Sequence, residues 1–281
     1  MADRLKAFVC GHPIKHSKSP AIHGYWLKKY GLDGTYERID VAPEGLTDFL
    51  ESMRQSGFAG GNATIPHKEA VFAFVPKKDD AALAIGAANT LWFEGDTLVA
   101  GNTDAYGFAS NLDDQIPQWR DAKRAMVFGA GGASRAIIYA LLDAGIAHID
   151  VVNRTFERAA NLAESFGSKI HPMTWDTAAG AVQKADLFVN STSLGMEGQP
   201  DFPPILEQAR INALAADIVY IPLETPFLKL AKKQGLRTSD GLGMLLHQAV
   251  PGFEKWFGIR PVVDDGLRRH VLTEINKVDP V

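Results

Sequence analysis

The stretch Phe128-Gly129-Ala130-Gly131-Gly132-Ala133-Ser134-Arg135 carries the most specific chemistry in the chain. It follows an apolar run and opens a helical one at 136–144, with its glycines in the spacing G-x-G-x-x-S. Gly129 permits a tight turn, and Gly131 lets the backbone approach a pyrophosphate. The helix N-terminus then presents unpaired N–H groups to its negative charge. Glycine-rich turns of this kind also arise for packing alone, and Ser134 stands where a third Gly or Ala is usual. The end of the next strand decides more. A site for NAD places an acid there to bind the ribose hydroxyls, but this chain has Asn153-Arg154-Thr155, with Arg158 a helical turn later. A guanidinium stacks on adenine and grips a 2′-phosphate through two parallel hydrogen bonds, so loop and arginine together point to NADP. Taken without the loop, Arg154 and Arg158 describe only a solvated helix start.

Four further clusters set polar side chains at element boundaries. GHPIKHSKSP, from Gly11 to Pro20, packs two serines, two histidines and two lysines between prolines and a glycine. GGNATIPHK ends at Lys68, GAANT contains Asn89, and GNTD ends at Asp104. In open α/β sheets ligands bind beyond the carboxyl ends of strands, where these clusters fall. Each has a plain alternative. Asn-Thr and Thr-Asp pairs cap helices and set turns, Lys68 suits an exposed first turn, and Ser19-Pro20 is an N-cap signal. Four clusters in one small domain favour a ligand site, and capping does not explain Ser17. His12, His16 and His67 lack a metal-ligand spacing.

The elements that must position these groups alternate along the chain. Residues 5–10, 35–41 and 58–65 read as strands, with helices at 19–30 and 43–56 between them, a βαβ pattern that implies a mostly parallel sheet. The apolar runs 89–93 and 97–100 flank Glu94-Gly95-Asp96 and read as a hairpin. After a polar stretch at 113–123 the alternation restarts, with strands expected at 124–128, 149–152, 187–190 and 217–220. From Gly241 the chain is helical, and this tail is expected to return to the first domain. The expectation is two α/β domains: 1–105, completed by helices at 243–281, and a Rossmann-type domain at 106–242.

With 281 residues, 46% of them hydrophobic, the chain can bury a sizeable core. A net charge of -4 with scattered Lys and Arg argues against nucleic acid and a polybasic membrane surface, leaving a small-molecule partner. No apolar segment is long enough to span a bilayer, and the N-terminus does not read as a signal peptide. The single cysteine, Cys10, fits a reducing cytoplasm.

In order, GHPIKHSKSPAIH, GGNATIPHK, GAANT, NTDAYG, GAGGASR, NRTFERA, NSTSLGM, YIPLETPFL and DGLGMLLHQ resemble the shikimate dehydrogenase family over nearly the whole chain. The resemblance implies NADPH-linked reduction of 3-dehydroshikimate to shikimate, in the route to chorismate and the aromatic amino acids, without a metal. It implies that Ser17 and Ser19 bind the substrate carboxylate and that Lys68 and Asp104 form the catalytic pair. Asn62, Thr64, Asn89 and Gln248 then match polar ligands of the ring hydroxyls, with a loop-shaping role as the alternative for Asn62, and Tyr220 matches a tyrosine that reaches the substrate from the second domain. For NADP the resemblance implies Gly129, Ala130, Gly131, Gly132 and Ala133, then Asn153, Arg154, Thr155 and Arg158. It adds Thr192, Ser193 and Met196 on the nicotinamide side, with Gly243 and Met244 near the ring. Ala63, Ala105 and Gly24 depart from the family's commoner Val, Gly and Asn. A monomer or a homodimer is compatible with all of this. A dual quinate/shikimate dehydrogenase using NAD would carry an acid where Asn153 and Arg154 stand. A catalytically silent homologue would have no reason to keep Lys68 and Asp104.

Overall fold

The computed structural model describes residues 4–196 and 198–277; residues 1–3 and 278–281, at the ends of the expected first domain, lie outside the described residues. The chain forms two compact units, Met1–Thr103 with Leu246–Val281, and Asp104–Leu245. Asp104, Ala105, Gly243 and Met244 thus belong to the second unit. The reason is local: helix Asp104–Gln115 packs against helix Gly132–Asp143, and a Cβ on Gly243 would lie 1.7 Å from Asn111 Oδ1.

The first unit is a six-stranded mixed sheet. Its strands are β1 (Leu5–Gly11), β2 (Gly34–Asp40), β3 (Phe58–Ala63), β4 (Lys77–Lys78), β5 (Thr90–Glu94) and β6 (Thr97–Gly101), in the order β2-β1-β3-β5-β6-β4. β1 runs parallel to β2 and β3, and β5 is antiparallel to β3 and β6. The expected hairpin forms across Gly95, whose φ of 59° suits the turn. Residues 7–10 are buried on both faces, as a central strand requires. The paired glycines 60 and 61 make room for large rings: a Cβ on Gly61 would sit 2.6 Å from Phe8, and one on Gly60 2.3 Å from Trp256 Nε1. Trp256 lies on helix Ala249–Phe257 and donates to Leu91 O at 2.8 Å, so the C-terminal tail is bonded to this sheet. The expected helix at 43–56 is a tight turn, Pro43–Gly45, followed by the shorter helix Leu46–Ser52.

The second unit is a fully parallel sheet. Its strands are β7 (Arg124–Phe128), β8 (His148–Val152), β9 (Ile170–Met173), β10 (Leu187–Asn190), β11 (Leu214–Asp217) and β12 (Arg237–Ser239). The order β12-β11-β10-β7-β8-β9 is the doubly wound dinucleotide arrangement, with its switch point between β7 and β10. The strand expected at 217–220 instead ends at Asp217. The buried run is Ala213-Leu-Ala-Ala, and Asp217 turns the chain by accepting the Val219 N–H at 2.9 Å. The edge strands β9 (Ile-His-Pro-Met) and β12 (Arg-Thr-Ser) are short and hold no continuous apolar run, so no such run announces them. Among the described residues, no helix is long and apolar enough to cross a membrane.

Candidate active site

In the first unit the loops after β1 and β3 are joined at the carboxyl end of the sheet. Thr64 N–H donates to Cys10 O at 2.9 Å and His12 N–H to Ile65 O at 3.1 Å. A Cβ on Gly11 would stand 2.7 Å from Thr64 Cγ2, so only glycine allows this approach. The joint brings the segment carrying Ser17 and Ser19 to the same edge as Thr64 and Lys68, all four half-buried. Ser19 is not the N-cap expected of it. Lys18 holds that position without a side-chain cap, Ser19 is the first helical residue of Ser19–Lys29, and its N–H points to Ser17 Oγ at 3.4 Å. That frees the Ser19 hydroxyl from capping duty.

A buried chain of hydrogen bonds supports this edge. Asn62 Nδ2 donates to Asn89 O (3.0 Å) and to Thr90 Oγ1 (3.1 Å), which turns its Oδ1 to accept from the Tyr36 hydroxyl at 2.6 Å. With its polar atoms spent in this way, Asn62 is a support for the loop. Asn89 Oδ1 accepts from Thr90 Oγ1 (2.9 Å) and Thr103 N–H (2.9 Å), so the network sets which end of the Asn89 amide faces it. Tyr36 stacks on His23 at 3.9 Å. His23 is fully buried with neither ring nitrogen hydrogen-bonded, and burial pulls its pKa down to about 3, so it packs as a neutral plate. Lys68 opens helix Lys68–Phe74 and its carbonyl accepts the Ala88 N–H at 3.0 Å, tying it to the GAANT segment. His67 is buried, with Nε2 2.7 Å from Val41 O. Gln248, half-buried, precedes helix Ala249–Phe257 in this unit. Cys10 is buried, and desolvation pushes its thiol up to about 12, which makes it inert.

In the second unit the glycine loop sits at the switch point. Gly129 has φ 109° and its N–H donates to Val152 O at 2.8 Å. A Cβ there would be 2.7 Å from Ser191 Oγ, whereas a Cβ on Gly131 or Gly132 would meet nothing within 4 Å. The loop is therefore closed behind and open in front, which fits a pyrophosphate on the N-terminus of helix Gly132–Asp143. Ser134 explains its own departure from the usual glycine. Ser191 Oγ donates to Phe128 O (2.7 Å), so the 2.8 Å contact between the two serines takes its proton from Ser134, whose oxygen accepts the Gly131 N–H at 3.0 Å. Asn153 Nδ2 donates to Thr155 O at 2.8 Å, holding the turn after β8. Arg154, Thr155 and Arg158 are exposed beyond it, and among the described residues neither arginine pairs with a carboxylate.

The segment carrying Thr192, Ser193 and Met196 hangs on Asn190. Asn190 Oδ1 accepts from Thr192 Oγ1 (2.7 Å) and Thr192 N–H (3.0 Å), while Nδ2 donates to both oxygens of Asp217 at 3.1 Å. Asp217 also accepts from Thr225 Oγ1 at 2.6 Å. Burial raises its carboxyl to about 6 against the pull of these donors. Ser193 and Met196 are exposed, Met244 and Tyr220 are half-buried, and burial raises the Tyr220 phenol. Gly243 is occupied by its close packing on Asn111, whose Nδ2 donates to Asp240 O at 2.7 Å. Asp104 is the first residue of helix Asp104–Gln115. Among the described residues, no three His, Cys, Asp or Glu side chains could hold a metal ion.

Tyr36 and Asp217 were not legible as site residues, and Asn190 and Ser191 were legible only as part of the NSTSLGM motif, not as the supports of its loop. Asp217 carries a sequence signal, a carboxylate closing an apolar run.

Residues 9–91 match the shikimate dehydrogenase substrate binding domain, 112–200 match shikimate / quinate 5-dehydrogenase, and 241–265 match the shikimate 5'-dehydrogenase C-terminal domain. A Brucella canis protein named shikimate dehydrogenase (NADP(+)) is 57% identical over 280 residues, covering 99% of this chain and 97% of that one. The chain belongs to the shikimate dehydrogenase family. Among solved structures of the family, shikimate 5-dehydrogenase of Thermus thermophilus, in complex with NADP(H) and shikimate, is 38% identical with a TM-score of 0.83. That similarity covers 96% of this chain and 99% of that one. Quinate dehydrogenase of Corynebacterium glutamicum, in complex with NAD, is 28% identical with a TM-score of 0.85, covering 96% and 98% of the two chains. The family's substrate binding domain match spans Ser17, Ser19, Thr64, Lys68 and Asn89, and the second match spans the glycine loop and the Asn153–Arg158 turn.

Proposed function

We propose that this chain is an NADP-dependent shikimate dehydrogenase, interconverting 3-dehydroshikimate and shikimate in aromatic amino-acid biosynthesis. The observation that carries the reading, within a chain of this family, is the joint between the loops after β1 and β3. It gathers two serines, a threonine and a lysine at one sheet edge. In this reading the Ser17 and Ser19 hydroxyls donate to the substrate carboxylate, and the N-terminus of helix Ser19–Lys29 favours its charge. Thr64, Asn89 and Gln248 hold the ring hydroxyls, and Tyr220 is a further substrate ligand. Gly129, Ala130, Gly131, Gly132 and Ala133 receive the pyrophosphate of NADP, and Arg154 and Arg158 its 2′-phosphate, with Asn153 and Thr155 shaping that turn.

NADPH held by the glycine loop would supply a hydride for the ketone carbon. As the C–H bond forms and the C=O π bond breaks, negative charge grows on oxygen, and the Lys68 ammonium donates the proton that completes the alcohol. The family resemblance pairs Asp104 with Lys68 in this step, a carboxylate beside an ammonium favouring its charged form. In oxidation Lys68 takes the proton back. The activity belongs in the cytoplasm on a small-molecule substrate and not on nucleic acid, a reading that rests on the net charge and the single buried cysteine, and it is compatible with a monomer or a homodimer. The test is initial-rate oxidation of shikimate and of quinate, each with NADP and with NAD, followed by nicotinamide absorbance. Strong preference for shikimate with NADP is expected. Comparable quinate turnover with NAD would overturn the role given to Arg154, and no turnover in any combination would leave a silent homologue.

A further inference from the structure

The strand β2 lies at the edge of the first sheet, beside β1, with Arg38 opposite Val9. Residues 36, 38 and 40 share one of its faces. Ile39, on the other face, packs into the apolar core around Leu46 and Leu50. All three residues of the first face turn toward the segment 12–23: the Tyr36 ring stacks on His23, and Asp40 Oδ1 lies 2.8 Å from His12 Nδ1. Arg38 makes the most telling contact. Its Nε and Nη2 both donate to the Ser17 carbonyl oxygen, at 2.9 and 2.6 Å. Arg38 is exposed and has Asp40 as the next residue along the same face, a carboxylate partner at short range. Among the described residues it pairs with no carboxylate, and both donors converge on one backbone oxygen.

That oxygen belongs to the turn that presents the serines. Ser17 N–H donates to Ile14 O at 3.0 Å, and Ser17 Oγ receives the Ser19 N–H. With its N–H held by Ile14 and its carbonyl held by Arg38, Ser17 has both flanking peptide planes fixed, and its hydroxyl projects from a set backbone. We infer that Arg38 is a positioning residue for carboxylate recognition, acting through Ser17. The inference rests on the carboxylate role proposed above for Ser17 and deepens it: an edge-strand arginine sets the hydroxyl that selects an anionic substrate.

The test uses Arg38→Met, Arg38→Lys, Ser17→Ala and the double variant Ser17→Ala/Arg38→Met in the full chain, with kcat and KM measured for shikimate and for NADP. Hydrogen bonds from charged groups are among the stronger ones, so Arg38→Met is expected to raise KM for shikimate by about tenfold. The KM for NADP should stay in place and kcat should change much less. Arg38→Lys, which keeps a donor but loses the fork, recovers part of the loss. The double variant should be no worse than Ser17→Ala alone, because a residue acting through Ser17 has nothing left to position. Penalties that add in the double variant, or a KM for Arg38→Met within twofold of the parent, overturn the inference. If Ser17→Ala itself leaves KM for shikimate unchanged, the carboxylate reading fails first and takes the role of Arg38 with it.

Discussion

Replacing Asp217 by asparagine should change the pH dependence of stability by a predictable amount. Asp217 is 2% exposed, and burial raises its carboxyl from 3.8 to about 6, although Thr225, Asn190 and the backbone at Val219 and Ile218 all donate to it. Below about pH 3.8 the group carries its proton in both folded and unfolded chains. Between 3.8 and about 6 the unfolded chain releases the proton while the folded one keeps it, so stability falls as pH rises through this window. Above about 6 both forms are ionised and the full cost of burying the charge is present. A shift of roughly two units corresponds to about 3 kcal/mol. Asn does not titrate, so it escapes this cost. It also turns an NH2 group toward groups that now donate, a penalty of about 1–3 kcal/mol that hardly varies with pH. The variant should therefore be the less stable protein at pH 4 and gain on the parent by roughly 2 kcal/mol by pH 7.5, since part of the change already lies below pH 4. The neutral buried His23 contributes equally to both proteins and cancels in the difference. Urea titrations of parent and variant from pH 4 to 7.5 measure it, with the tryptophans Trp119 and Trp175 reporting on this unit. Stability curves that stay parallel across that range would refute the reasoning.

Two further outcomes follow from the site geometry. Lys68→Ala should lower turnover by about a thousandfold while NADP still binds, since the loss is of a proton donor; unchanged turnover in the nicotinamide assay would remove Lys68 from the mechanism. Ser134→Ala takes the acceptor from the Gly131 N–H and the donor from Ser191, and should lower the melting temperature by about 2–4 °C. It should also weaken NADP binding measured by calorimetry while leaving KM for shikimate in place. An unaltered affinity for NADP would mean that the serine chain does not shape the loop.

Much of the molecule is written in local patterns. The buried runs at Ala7–Cys10 and Ala125–Phe128 are long enough to demand central strands, the Gly95 turn demands a hairpin, and the glycine loop followed by Arg154 names a cofactor class. These features depend on neighbours within a few residues, so chain order alone carries them. The short edge strands β9 and β12, the end of β11 and the capping role expected of Ser19 depend instead on what lies alongside, and there local reading misplaces them. The same limit hides the supports of the site. Tyr36 meets Asn62 across 26 residues, Arg38 meets Ser17 across 21, and Ser134 meets Ser191 across 57. Residue types and spacing determined which groups could bind an anion, move a proton or hold a dinucleotide. Only the tertiary structure decided which neighbours orient them, because a hydrogen bond is directional over about 3 Å and only folding brings such distant segments that close.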